Sequence, residues 1–232
     1  MKYSTIVEGK FIARPNRFIA QVKIEGKLRM AHVKNTGRCK ELLVEGNRVY
    51  LEDFSRSMGT RTLAYSLIGV EKGSLMINMD SQAPNKVVKE ALADGLELPD
   101  MGRITTIKPE AVWGESRLDF YIADENGKEG YIEVKGVTLE DDGVASFPDA
   151  PTERGIKHLH ELIKLAESGY NTYVLFVIQM SGIKYFQPNE ERHPEFASTL
   201  RLAEKSGVKI LAYDCIVTRD MLVMNKPVPV KL

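Results

Sequence analysis

Cysteine is nearly missing from this 232-residue chain: Cys39 and Cys215 stand far apart. Two such residues form neither a metal-ligand spacing nor a disulfide framework, and they read as reduced thiols of a cytoplasmic protein. Histidine is sparse too, and the four present, His32, His158, His160 and His193, lack ligand spacing, which argues against zinc. No Walker or GxGxxG pattern points to nucleotide binding. Long apolar runs are absent too. The uncharged stretch Gly169–Ile183 is too short and too polar at its ends to span a bilayer. The opening MKYSTIVEGK carries charge where a signal peptide needs its apolar region. A soluble, cytoplasmic protein with no membrane partner is therefore expected. Internal repeats and low-complexity segments are also lacking.

What is present is an ordinary globular composition, 43% apolar and 28% charged, in a chain long enough for one large domain or two modest ones. The net charge of zero conceals an asymmetry. Residues 1–80 hold 14 Lys+Arg against 8 Asp+Glu, a net of +6, and residues 81–232 hold 18 against 24, a net of −6. A basic module beside an acidic one points to a polyanion contact in the first and a cation site in the second.

Residues 1–80 read as short strands. Phe18, Ala20, Val22 and Ile24 share one parity while Gln21 and Lys23 share the other, as in a half-buried strand. Turn residues flank it at Arg14–Arg17 and Glu25–Lys27. Further strands are predicted at Leu28–Val33, Arg48–Glu52, Leu63–Val70 and Leu75–Met79. Five or so strands in this length predict a small barrel or sandwich; an oligonucleotide-binding (OB) barrel fits, and an SH3-like barrel fits nearly as well. Between strands, the loop Lys34–Arg38 offers backbone N–H groups and a guanidinium to phosphates, or is a plain turn.

Ser81–Asn85 breaks the pattern and marks a boundary between domains 1–80 and 81–232. A helix is predicted over Lys86–Asp94, with Val88, Ala91 and Leu92 as its stripe, Gly95 as its stop, and Glu90 at the stripe's edge. Another follows over Thr152–Ser168, buried through Ile156, Leu159, Leu162, Ile163 and Ala166, with Arg154 and His158 as i, i+4 neighbours on another face. The apolar run Thr172–Ile178 predicts a strand covered on both faces. A helix over Pro194–Lys205 and a strand over Val208–Tyr213 complete an α/β half with a mixed, centrally parallel sheet.

The chemistry concentrates in Glu115–Leu139, two apolar-alternating segments around a polar, glycine-containing turn. Asp119 interrupts Leu118, Phe120 and Ile122; Glu133 and Lys135 flank Val134 and, two apart, point to one face. Burying such charges is costly without a reason. Two carboxylates and a lysine from adjacent strands can hold Mg²⁺ or Mn²⁺ with waters, polarise a phosphodiester and activate a water, Lys135 orienting it or stabilising developing charge. The plainer alternative is a solvated face with an incidental salt bridge.

Longer motifs sharpen this. Asn35-Thr36-Gly37-Arg38, Ser116–Phe120, Tyr131–Leu139 and Phe147–Gly155 resemble the signatures of the sugar fermentation stimulation protein A family, and the order of elements resembles the PD-(D/E)xK nuclease superfamily. The resemblance spans almost the whole chain. It implies an α+β two-domain protein: an N-terminal OB-fold barrel, then an α/β restriction-endonuclease-like domain with a mixed sheet. It implies DNA binding and a regulatory role in sugar, particularly maltose, utilisation. It puts Asp119, Glu133 and Lys135 at the catalytic motif positions, with Asp119, Glu133 and the helical acid Glu90 as metal ligands. Gly136 and Cys39 depart from the pattern without removing a ligand.

On this reading the basic barrel holds nucleic acid, DNA or else RNA, through Asn35, Thr36 and Arg38, with Tyr3, Phe11, Phe18, Tyr50 and Tyr65 as stacking candidates. Arg154 and His158 would contact the scissile phosphate or its neighbour; the alternative is a helix flank paired to Glu153 or Glu161. The leading expectation is a Mg²⁺- or Mn²⁺-dependent nuclease. The runner-up is a non-catalytic DNA-binding regulator, although no helix shows a recognition pattern. A glycosidase carboxylate pair is a third class, weakened by Lys135 and by Trp113 being the only tryptophan. A homodimer is left open.

Overall fold

The computed structural model describes all residues except Thr36, Arg38 and Glu115. Among these residues, six strands make the N-terminal unit: β1 (Ile6–Asn16), β2 (Ile19–Ile24), β3 (Lys27–Val33), β4 (Arg48–Asp53), β5 (Tyr65–Lys72) and β6 (Leu75–Asn78). The order β3-β2-β1-β4-β5-β6 closes where β3 runs parallel to β5, pairing Ala31 with Tyr65 and Val33 with Leu67. Closure removes the sheet edges that would otherwise template aggregation. Phe11, Ala20, Val22, Ala31, Val33, Val49, Leu51, Leu67 and Val70 fill the interior. This is a five-stranded OB barrel with β6 appended, and the SH3-like alternative falls away.

β1 was not legible as a strand. Its alternation is broken by Gly9, Lys10 and Pro15, and its pairing with β2 shifts register between Phe11 and Ala13 and again before Asn16. The strand therefore runs through residues 14–16, which read as a turn. Bulges of this kind bend a strand into a barrel.

The second unit is built on a six-stranded mixed sheet. Its strands are β7 (Ile104–Trp113), β8 (Ser116–Asp124), β9 (Glu129–Val137), β12 (Asn171–Ile178), β14 (Lys209–Val217) and β15 (Leu222–Pro227), in the order β15-β14-β12-β9-β8-β7. The central β14, β12 and β9 are parallel, and both neighbours flank β12 as its apolar run predicts. Tyr173 through Ile178 are fully buried, and each such large side chain contributes about 1.5–3 kcal/mol. A small sheet of β10 (Leu139–Asp141), β11 (Val144–Phe147) and β13 (Tyr185–Pro188) lies alongside, with Asp142-Gly143 as the tip of its hairpin.

Among the described residues, three helices cover the sheet. α1 (Ala83–Ala93) begins earlier than its apolar spacing predicts, because Pro84 occupies a first-turn position where a missing N–H costs nothing. α2 (Glu153–Glu167) is capped by Thr152, whose hydroxyl oxygen accepts from the Gly155 N–H at 3.0 Å. A Cβ on Gly155 would stand 2.9 Å from Thr152 Cγ2 and 3.2 Å from Phe196, so the cap and the packing both require glycine there. α3 (Pro194–Lys205) buries Phe196, Leu200 and Ala203. Among the described residues, no helix is long and apolar enough to cross a membrane. Cys39 and Cys215 are both free and buried, and burial pushes each thiol up to about 12.

The two units are joined by polar contacts that are buried around Gln179 and partly buried or exposed elsewhere. Gln179 Nε2 donates to Asn78 O, Asn78 Oδ1 and Asp80 O at 2.9–3.1 Å. Asp80 in turn accepts from Lys34 Nζ at 2.7 Å and from Tyr3 OH at 3.3 Å. Ser81 Oγ donates to Lys34 O at 2.8 Å, and Lys72 Nζ reaches Glu140 Oε2 at 2.6 Å. A satisfied buried network of this kind fixes geometry. Here it ties the barrel loop after β3, through Asp80, to Gln179 at the end of β12.

Candidate active site

β8 and β9 pair antiparallel through Phe120↔Ile132, and continuing that register sets Asp119 across from Glu133. The ladder ends at this point, and Asp119 takes over its hydrogen bonding: Asp119 Oδ2 accepts from the Val134 N–H at 2.8 Å. Asp119 Oδ1 accepts from Asn85 Nδ2 at 2.7 Å, so the first turn of α1 reaches the site. Burial, and then the nearby charge of Glu133, pushes the Asp119 carboxyl above the ordinary carboxylate range.

Glu133 is only 3% exposed. Its Oε1 accepts from Lys135 Nζ at 2.6 Å and also meets His158 Nδ1, which α2 presents from above the sheet. Its Oε2 is buried with no hydrogen-bond partner among the described residues. Burial acts to raise this carboxyl, but the His158 bond and the Lys135 charge outweigh it, and the net direction is downward. The alternating pattern of β9 put Glu133 and Lys135 on one face, and the structure ion-pairs them.

Asn35 belongs to the barrel loop, where its Oδ1 accepts from the Gly37 N–H at 2.8 Å. It also lines a small cavity of about 110 Å³ with Ser81, Gly136, Thr138, Ser146, Asp149 and Gln179, next to Lys135 along the chain. Thr36 and Arg38 lie outside the described residues. Gly136 has a local reason: a Cβ there would stand 2.6 Å from Gln179 Oε1 and 2.8 Å from Pro84 Cγ. A larger cleft of about 780 Å³ lies elsewhere, lined by Asp141, Asn189, Arg192, Arg201 and Lys231 among others, and contains none of the site carboxylates.

Three expectations need correction. Glu90 does not join the carboxylates. It sits five residues after Asn85, about 140° round the helix, and its half-exposed carboxylate pairs with the Met1 amino group at 2.5 Å. His158 is not a surface phosphate contact, because it is buried and engaged with Glu133. Arg154 is exposed, and its Nε donates to His158 Nε2 at 3.4 Å, so neither residue pairs with Glu153 or Glu161 among the described contacts. Of the five stacking candidates, Tyr3, Phe11 and Tyr50 are buried, Tyr65 is half-buried, and Phe18 alone is exposed, with Arg17 over its ring. Asn85 was missed because it read as part of a boundary; Pro84 was the signal that a helix already begins there.

Among the described residues, no three His, Cys, Asp or Glu side chains are gathered to hold a metal. The pair Asp119 and Glu133 matches the smaller demand of Mg²⁺ or Mn²⁺, one or two carboxylates completed by water and substrate oxygens. The unpartnered, buried Glu133 Oε2 and the raised Asp119 carboxyl are what such a cation would satisfy.

Comparison with known proteins fits this arrangement. Residues 82–221 match the sugar fermentation stimulation protein RE domain, and residues 12–79 match the SfsA N-terminal OB domain. The chain belongs to the sugar fermentation stimulation protein A (SfsA) family. The sugar fermentation stimulation protein homolog of Clostridium beijerinckii is 53% identical over 96% of each chain. The homolog of Desulfitobacterium hafniense is 52% identical over 100% of this chain and 99% of its own. The structure of Pyrococcus furiosus SfsA in complex with Ca²⁺ superposes with a TM-score of 0.88 at 29% identity, covering 100% of this chain and 98% of the other. SfsA membership settles the two-domain fold, while the names of the relatives carry no reaction.

Proposed function

We propose that this chain is a nuclease dependent on a divalent cation, Mg²⁺ or Mn²⁺, that cleaves phosphodiester bonds in DNA, with RNA as the other substrate to test. The observation that carries the reading is Glu133: a buried carboxylate tied through one oxygen, bare at the other, and set across from Asp119. The Ca²⁺ in the Pyrococcus furiosus relative supports it, because Ca²⁺ is another hard cation with oxygen ligands.

Asp119 and Glu133 would hold the cation. When bound, it supplies Lewis acidity toward the phosphodiester and lowers the pKa of a coordinated water. Asn85 and the Val134 N–H keep Asp119 in place. Lys135 spends one donor on Glu133 and has two N–H bonds left for the attacking water or a phosphate oxygen. Arg154, exposed at the start of α2, offers its guanidinium to the phosphate backbone, and Asn35 brings the barrel loop to the same end of β9. Phe18 offers an exposed ring to a base.

One observation favours the second reading, a DNA-binding regulator without catalysis: Glu90 is drawn to the amino terminus, which leaves two carboxylates rather than three. The purified chain incubated with single- and double-stranded DNA and RNA in Mg²⁺, Mn²⁺ or EDTA separates the two. The nuclease reading expects cleavage with metal, abolished by EDTA, by Asp119→Ala and by Glu133→Ala. Metal-independent binding with no cleavage of any substrate would establish the regulator instead.

A further inference from the structure

Glu133 differs from Asp119 in how it is held. Asp119 uses both oxygens on protein donors. Among the described residues Glu133 receives both of its donors, Lys135 Nζ and His158 Nδ1, on Oε1, and its Oε2 has none. An unpaired buried carboxylate oxygen is costly, and native proteins rarely leave one without a use.

The histidine is itself constrained. Arg154 lies one helical turn before His158 on α2, and its Nε–H points at His158 Nε2. A guanidinium has no lone pair to offer, so Nε2 must be the acceptor and the proton must sit on Nδ1. The chain of donors then runs one way: Arg154 Nε to His158 Nε2, then His158 Nδ1 to Glu133 Oε1. α2 is a rigid support for it, anchored by the Thr152 cap and by Ile156, Leu159 and Leu162 in the core.

We propose that His158 is a positioning residue, set by Arg154 to donate from Nδ1, which fixes Glu133 by Oε1 and leaves Oε2 free to bind the cation. The inference rests on the metal-site reading above. Buried partners that orient a metal ligand typically matter nearly as much as the ligand.

The test is calorimetric titration of the full chain with MnCl₂ and CaCl₂, without substrate. The side-chain nitrogen of asparagine can occupy the place of Nδ1, whereas that of glutamine reaches the place of Nε2. His158→Ala should weaken Mn²⁺ binding by about 10-fold or more, His158→Asn should restore it to within about threefold, and His158→Gln should not. The Asn and Gln variants are amides of equal polarity, so their comparison stands even if the alanine variant fails to fold. Wild-type affinity in His158→Ala, or equal affinity in the Asn and Gln variants, would overturn the assignment. A wild-type chain that binds neither ion would instead overturn the metal site itself, and this inference with it.

Discussion

Asn85 Nδ2 donates to Asp119 Oδ1 at 2.7 Å, and this bond ties the first turn of α1 to the strand that carries the candidate metal ligand. The helical side chain serving the site is thus an amide, one and a half turns before the acid expected to do so. Asn85→Ala should lower Mn²⁺ affinity by about 10-fold, measured by calorimetry, because Asp119 loses its orientation. Glu90→Gln should leave metal affinity and cleavage unchanged. It should cost no more than about 1 kcal/mol in a denaturant melt, as expected for an ion pair whose carboxylate side chain is 55% exposed.

Lys135 is assigned to chemistry rather than to holding the ion. Lys135→Ala should slow cleavage by on the order of 10²-fold under single-turnover conditions, the scale of removing one donor aimed at developing charge. Ca²⁺ affinity should be unchanged or tighter, since a positive charge beside Glu133 has been removed. Parallel loss of Ca²⁺ binding and cleavage would make Lys135 a structural prop for Glu133.

How much of this was legible depended on periodicity. α3 has the bounds its spacing predicts, Pro194 to Lys205, because a proline start, an apolar stripe and a glycine just beyond agree. Glu133 and Lys135 could be paired because strand side chains alternate strictly. β7 gave no comparable signal. It is an edge strand interrupted by Pro109 and by Glu110 at φ +53°, with most of its residues half-exposed or exposed. Asn85 was hidden by its neighbours, since Ser81–Asn85 is turn-rich by composition while Pro84 already starts the helix. His158 was visible as a neighbour of Arg154. Its direction toward Glu133 depends on where α2 lands on the sheet, which helical spacing alone does not give.

The link between barrel and second domain predicts a pH-dependent stability. Burial raises the Glu140 carboxyl, but the bond from Lys72 and the Gly143 N–H outweigh it, so its folded value lies below the ordinary 4.5. A depressed carboxyl contributes stability that is present above its unfolded value and lost as pH falls through the folded one. Glu140→Gln should therefore cost about 1 kcal/mol at pH 7, discounted for the partly exposed Lys72. Denaturant melts across pH should show the gap to wild type closing in the acid range below 4.5.

Whether Asp119 and Glu133 form a divalent-cation site can be seen by anomalous diffraction from a crystal of the chain soaked in Mn²⁺. A cation held there gives an anomalous peak about 2.0–2.2 Å from Glu133 Oε2 and from an oxygen of Asp119, absent in Glu133→Gln crystals soaked in the same way. A fully soaked crystal with no peak between these carboxylates, or with its strongest peak elsewhere and Glu133 Oε2 still bare, would contradict it.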